Sequence, residues 1–252
     1  MKIFVSLVAG LALSLGSAGV LADAAPAADV NLVTGTATAE SAGVERELHK
    51  GATVFAGDTL TVGANSYLNL LFKDGGRVLL RPGTQFTVDS YEYNGPPPVP
   101  ETQKPAEAAT TPAPAAAPPP PAQALPVTGR AFFKLVRGGF RAISGLLGKA
   151  NPADYKVATP IATIGIRGTD YDLVVCNAGE CPTELLPPGT PADSGLVMGV
   201  NEGGISVTTS QGTFNVDLNQ FGLALANGQF FVLPFQPMTL MVNPTPDPRS
   251  CQ

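Results

Sequence analysis

A chain of 252 residues with 28 Gly, 25 Pro and only 14% charged residues is long enough to bury a sizeable core. It is too rich in breakers for long helices, so many short strands are expected. A net charge of -5 leaves no electrostatic footprint for nucleic acid or for an anionic membrane surface, and neither is expected as a partner.

Residues 1–22 read as a secretory signal: Lys2 is a short positive start, Ile3 to Leu15 an apolar core, and Val20-Leu21-Ala22 a small-residue cleavage site before Asp23. The alternative is an uncleaved anchor, since Ile3 to Leu21 is just long enough to span a bilayer. No later apolar run approaches that length, so no further span is expected once the signal is removed, and the product is expected in the periplasm or otherwise exported.

Residues 23–44 are expected to form a flexible leader, "DAAPAAD", and a first strand, with patterning from about Val30. Across 45–94, short apolar runs alternate with turn signals at the spacing of an all-β domain. Leu68, Leu70 and Phe72 alternate with Asn69, Leu71 and Lys73. Asp74-Gly75-Gly76 then supplies a hairpin turn, Val78 and Leu80 resume the alternation, and Pro82-Gly83 ends the second strand. Residues 95–127 are Pro- and Ala-rich with almost no large apolar side chain, and read as a disordered or polyproline-II insertion.

Within 128–175, "RAFFKLVRGGFRAISGLLGKA" carries Arg130, Lys134, Arg137 and Arg141 at helical spacing, but Gly138-Gly139 argues for two strands joined there, with a short helix from Ala142 to Lys149. Cys176 and Cys181 bracket a small loop that reads as a disulfide in an exported chain, with a zinc half-site as the alternative; Cys251 is left over. Residues 176–195 are loops, 196–235 a C-terminal β extension with a second hairpin pattern in "GISVTTSQGTFNVDL", and 236–252 a tail.

The catalytic inventory is short. His49 is the one imidazole and sits at an expected exposed turn, and no Gly-x-Ser-x-Gly elbow occurs. No catalytic, cofactor or metal residue is therefore nominated, and the protein is not expected to be an enzyme. Asp170 and Asp172 would share one face of a strand, most simply a solvated face. In "VATPIATIGIRGTDYDLVV", Thr159-Pro160 ends one extended run and Gly165, Arg167, Gly168 and Thr169 turn the chain into the next. A phosphate loop would open a helix here, whereas a strand follows. Arg167 is expected to act structurally, as a guanidinium fork satisfying the carbonyls of a dense turn.

At these residues the chain resembles the FecR periplasmic domain family. The Thr159-Pro160 motif with Gly165-x-Arg167-Gly168-Thr169 looks like its most recognisable stretch. Upstream, Gly57-Asp58, Gly63-x-x-Ser66, Phe72-x-Asp74-Gly75 and Leu80-x-Pro82-x-Thr84 are similar to the family's earlier part, and "FFKLVRGGFRAISG" to its middle strand pair. The resemblance implies an all-β domain that relays signals in the envelope. Family members with a sigma-factor output join it to a cytoplasmic anti-sigma region, in place of which this chain opens on a signal. The expectation is therefore a β-sandwich or short β-solenoid-like arrangement that acts as a protein-interaction, scaffold or signal-sensing module with an envelope protein as partner. A carbohydrate- or peptidoglycan-binding module is the alternative. Zero Trp weakens it, although Tyr67, Tyr91, Tyr93 and Tyr171 remain as stacking surfaces.

Overall fold

The computed structural model describes residues 24–98, 126–241 and 248–250. The expected signal, most of the Pro/Ala-rich insertion and Cys251 lie outside the described residues. In the first part of the chain the strands are β1 (Pro26–Thr34), β2 (Ala37–Ser41), β3 (Val44–Glu47), β4 (Thr53–Phe55), β5 (Thr59–Val62), β6 (Tyr67–Phe72), β7 (Arg77–Leu80) and β8 (Gln85–Asn94). After the insertion come β9 (Thr128–Arg137), β10 (Gly139–Ile143), the short helix α1 (Leu146–Ala150), β11 (Tyr155–Ala158), β12 (Thr163–Ile166) and β13 (Asp170–Asn177). The chain continues through β14 (Ser194–Glu202), β15 (Gly204–Thr209), β16 (Gly212–Asp217), β17 (Phe221–Leu225), β18 (Phe230–Leu233) and α2 (Met238–Met241).

These strands form two nine-stranded sheets packed as a sandwich. The front sheet runs β4-β1-β6-β7-β10-β13-β14-β17-β18 and the back sheet β3-β2-β5-β8-β9-β11-β12-β15-β16. In both, strands are added nearly in chain order, so the polypeptide zigzags between layers as it advances. The layering is that of a sandwich and the progression that of a solenoid. Pairing is antiparallel except where β11 runs parallel to β9.

Glycine and proline make the corners. Asp74-Gly75-Gly76 closes the β6–β7 hairpin, with Gly75 at φ 82°. Pro82-Gly83 and Gly138 instead carry the chain from one sheet to the other. The two crossings pack together: a Cβ on Gly138 would lie 2.6 Å from Thr84 Cα. The Thr84 hydroxyl donates to Gly139 O (2.8 Å) and accepts from Gly139 N (3.0 Å).

Between the sheets, Phe72, Phe86, Phe133 and Phe140 join Tyr91, Tyr155 and Tyr171 in a continuous aromatic chain with centroid spacings of 5.2 to 5.8 Å. Residues 45–94 and 128–175 share this core as one body, paired through β7–β10 in the front sheet and β8–β9 in the back. The region 196–235 is not an appendage, because Leu196, Met198, Ile205, Val207 and Val216 bury into the same core.

One reading of the ends is corrected. The leader is already strand from Pro26, with Ala27 and Ala28 fully buried between neighbours, because alanine fills a tight interior position without producing a visible apolar run. The tail is docked as well: α2 and the turn Pro248–Ser250 lie against the front sheet. Leu240 is buried there beside Gly199, where a Cβ would stand 3.1 Å from its side chain.

Candidate functional site

The motif residues assemble into turn staples rather than a ligand site. Thr159 Oγ1 accepts from Ile161 N (3.2 Å) and Ala162 N (2.9 Å), folding the Thr159-Pro160 turn between β11 and β12. Gly165 leaves room for Ser206 on β15, and Gly168 turns at φ 60°. Thr169 is buried and its hydroxyl accepts from Arg167 N (3.1 Å) while donating to Gly204 O (2.7 Å); its own N–H donates to Ser144 Oγ (2.8 Å).

The fork expected at Arg167 is corrected. Its side chain is half exposed and pairs with an exposed carboxylate, Asp217, at 2.5 Å. The acceptor inside the turn, Gly204 O, is served by the Thr169 hydroxyl and by Arg167 N, while the guanidinium lies over Gly204, where a Cβ would stand 2.5 Å from its Nη2.

The upstream motif residues behave likewise. Asp58 is fully buried, accepts from Phe55 N (2.7 Å) and is gripped by both terminal nitrogens of Arg46. Ser66 Oγ accepts from Thr36 N, and Asp74 accepts from Tyr91 Oη, Gly76 N and Leu147 N. A buried polar atom left unpaired costs about 1–3 kcal/mol, so these staples hold the turns, Asp58, Ser66 and Thr169 at crossings between the sheets and Thr159 within the β11–β12 hairpin. His49 is exposed at its turn, as its neighbours suggested.

Chemistry of a different kind collects on the outer face of the front sheet. Asp170 is buried and receives two bonds of 2.9 Å from Arg141 on β10, with Arg249 of the tail 3.6 Å away. Asn201 Nδ2 on β14 donates to Asp172 (2.9 Å) and to Asp170 (3.3 Å). The solvated face expected for Asp170 and Asp172 is corrected for Asp170, which its neighbours and Arg249 of the tail cover, while Asp172 is half-buried. Burial pushes the Asp172 carboxyl up to about 6, against the downward pull of Asn201 and Arg141. Arg81, also buried, has its pKa lowered by desolvation, with Asp172 opposing. Asn69 donates to Pro248 O (2.9 Å), and its Oδ1 is buried with no partner among the described residues.

Beside this row opens a cavity of about 400 Å³, between Arg81 and Pro82 on one side, Val174 and Cys176 below, and Met238 and Thr239 above. Gly138 and Gly139 line it too. Cys176 and Cys181 are joined in a disulfide, as their spacing suggested, with Cα atoms 5.1 Å apart. Within that loop the Glu180 carboxylate accepts from Asn177 N and Nδ2, and Thr239 Oγ1 donates to Glu180 O (3.1 Å), stitching the tail to the loop. Arg81, Arg141, Asn69 and Asn201 were missed from sequence. Their signal, polar residues at outward strand positions, acquires meaning only once the neighbours of each strand are known.

The two ends of the sandwich differ. At the first end β4 has three residues and β3 reads Val-Glu-Arg-Glu, a charged edge. Of eight large apolar side chains exposed among the described residues, five fall from Leu218 onward: Leu218, Val232, Phe235, Met238 and Met241. There the edges are β16 and β18, closed against each other by stacked Phe214 and Phe230.

Among the described residues no helix is long and apolar enough to cross a membrane, and no group of three or more His, Cys, Asp or Glu is placed to hold a metal. No family model matches the chain and no curated protein matches it. Two crystal structures of a "putative anti-sigma factor from Parabacteroides distasonis ATCC 8503" are similar to it at 11% and 12% identity, each with a TM-score of 0.42. The match covers 72% of this chain and 61% of each of those chains, less than two thirds of their length.

Proposed function

We propose that this protein is an exported, non-enzymatic module of the bacterial cell envelope, resembling the FecR periplasmic domain, that acts by binding another envelope protein as a scaffold or signal-sensing element. The observation that carries the reading is the asymmetry of the sandwich. The early end has short, charged edges of the kind that discourage association, while exposed apolar side chains gather on the last strands and tail. The motif residues support it indirectly: Thr159, Gly165, Gly168 and Thr169 are spent on the fold, which leaves recognition to other surfaces. The Cys176–Cys181 disulfide is compatible with export.

The glycan alternative loses ground because Tyr91 and Tyr171 are core residues and only Tyr67 and Tyr93 are partly exposed. Chemical crosslinking in intact cells tests the proposal, comparing the wild-type chain with a Val232→Glu/Phe235→Glu variant. The expected result is one discrete protein adduct that the variant loses while folding normally. Retention of the adduct by the variant, or sedimentation of the protein with purified cell wall without any adduct, would overturn it.

A further inference from the structure

The outermost strands of the two sheets, β4 and β18 in front and β3 and β16 behind, are not alike. β3 carries three charged residues in four, β4 is three residues long, and β18 has four residues and runs into Pro234. β16 has none of these protections. It keeps six residues, Gly212–Asp217, in unbroken register with β15, without Pro, Lys or a bulge, and its one charge, Asp217, is paired with Arg167.

The β15–β16 hairpin turns on two residues, Ser210 and Gln211, so Thr209 and Gly212 exchange backbone bonds, and by alternation so do Val207 with Phe214 and Ile205 with Val216. The opposite phase shows on β15, where Gly204 O turns away to accept from Arg167 N (2.9 Å). Thr213, Asn215 and Asp217 therefore direct N–H and C=O out of the edge. Asp217 is served by the next turn, its N–H donating to Gln220 Oε1 (2.9 Å) and its C=O accepting from Gln220 N (3.0 Å). The outward backbone groups of Thr213 and Asn215 have no partner among the described residues. Gln211 Nε2 donates to Asn227 O (2.9 Å) and Thr209 Oγ1 to Gly228 O (2.8 Å), which ties this hairpin to the β17–β18 turn and holds the edge in place before anything binds.

We propose that the envelope partner binds here by strand addition, an extended segment of that protein pairing its backbone with Thr213 and Asn215; this rests on the partner-binding reading above and names its mode. Backbone donors and acceptors repeated every second residue along a straight edge are met by one kind of group, the backbone of another strand. The side chains set its pattern. Phe214 points inward, half-buried on Phe230 at 4.8 Å, and Val216 is buried beyond it, whereas Thr213 and Asn215 are exposed on the outer face. The added segment therefore alternates apolar residues against Phe214 with small, uncharged polar residues beside Thr213 and Asn215. The β16 strand of a second copy fits less well. The register that uses all the outward groups sets Phe214 opposite itself in the close, non-hydrogen-bonded position, where each ring is already stacked on Phe230.

Photo-crosslinking of the full chain in intact cells tests this. A photoreactive side chain at Thr213 is expected to give an adduct of the same mass as one placed at Val232. Asn215→Pro removes an outward donor without touching the bonds to β15, proline being tolerated on the free side of an edge strand. It should weaken the Val232 adduct at least about tenfold at an unchanged urea midpoint. Asn215→Thr keeps the backbone and should leave the adduct in place. An adduct from Val232 with none from Thr213 would sink strand addition and leave the partner-binding reading standing, whereas no adduct from either position would sink both. If Asn215→Pro fails to fold, the Thr213 probe still decides. An adduct retained by folded Asn215→Pro, or lost equally in Asn215→Thr, would also overturn the proposal. So would a purified chain that sediments as a dimer and loses that dimer in Asn215→Pro, because the edge would then belong to a second copy.

Discussion

Thr169 and Arg167 stand two positions apart and carry opposite burdens. Thr169 is buried with both hydroxyl functions used, whereas Arg167 forms an exposed pair with Asp217. Thr169→Val keeps the shape but strips those bonds, and should lower stability by about 1–3 kcal/mol. Arg167→Ala should cost at most about 1 kcal/mol, because exposed ion pairs contribute little. Urea unfolding midpoints of the two variants check the order; a larger loss for Arg167→Ala would reverse the assignment. Asp172 gives a pH-dependent counterpart. Its folded-state carboxyl is raised to about 6 from an ordinary value of 3.8, so the folded state favours the protonated form. Its contribution is fully present below about pH 4 and is lost as pH rises through about 6. Asp172→Asn should therefore stabilise the protein above pH 6 by about 1–2 kcal/mol, the two-unit shift being discounted for partial access of water, and should change little below pH 4. Denaturant melts at pH 4 and pH 7 measure this, and a gain at pH 4 with none at pH 7 would contradict it. At this scale Thr159 and Gly168 were legible because a turn demands their residue types, whereas Gly165, read as part of the turn, lies within β12, where Ser206 leaves no room for a Cβ. Arg167 misled because sequence shows that a turn is dense without showing that a hydroxyl from the same turn already fills it.

Among the elements, β8 and β9 show what composition conceals. Their ladder runs from Gln85↔Arg137 to Asn94↔Thr128, so the two ends of the Pro/Ala-rich stretch meet across neighbouring strands. Removing residues 97–126 would leave Gly95, Pro96 and Val127 between Asn94 and Thr128, a connection of a length common in hairpins. The deletion should leave the fold intact and the thermal midpoint within about 10 °C of the full chain, since it keeps every buried residue described and reconnects two strands that already pair. Calorimetry checks this; a fall well beyond that range would mean that the stretch packs on the domain. The composition shift marked the stretch, but nothing in it revealed that its ends are adjacent. The Cys176–Cys181 loop was legible from its spacing, given the expectation of export. Replacing both cysteines with serine should cost about 2 kcal/mol for so small a loop, read in urea against the oxidised protein.

For the molecule as a whole, the turn spacing of residues 45–94 was enough to announce β structure, because Gly-Asp, Asp-Gly-Gly and Pro-Gly permit little else. Strand order was not legible, since hairpins such as β6–β7 and corners such as Pro82-Gly83 use the same residues while one keeps the chain in its sheet and the other changes layer. The polar row from Asn69 to Asn201 was hidden for that reason, and the docked tail because Leu240 is a single apolar anchor in a proline-rich run. What emerges is a sandwich whose recognised motifs hold its turns and crossings, and for which we propose an adhesive surface at the late end. Site-specific photo-crosslinking in living cells tests that division most directly, with the photoreactive side chain placed at Val232, at Phe235 or, on the opposite edge, at Glu45. The account predicts a discrete adduct of the same mass from Val232 and Phe235 and none from Glu45. Adducts from Glu45 alone, or equally from all three positions, would contradict it.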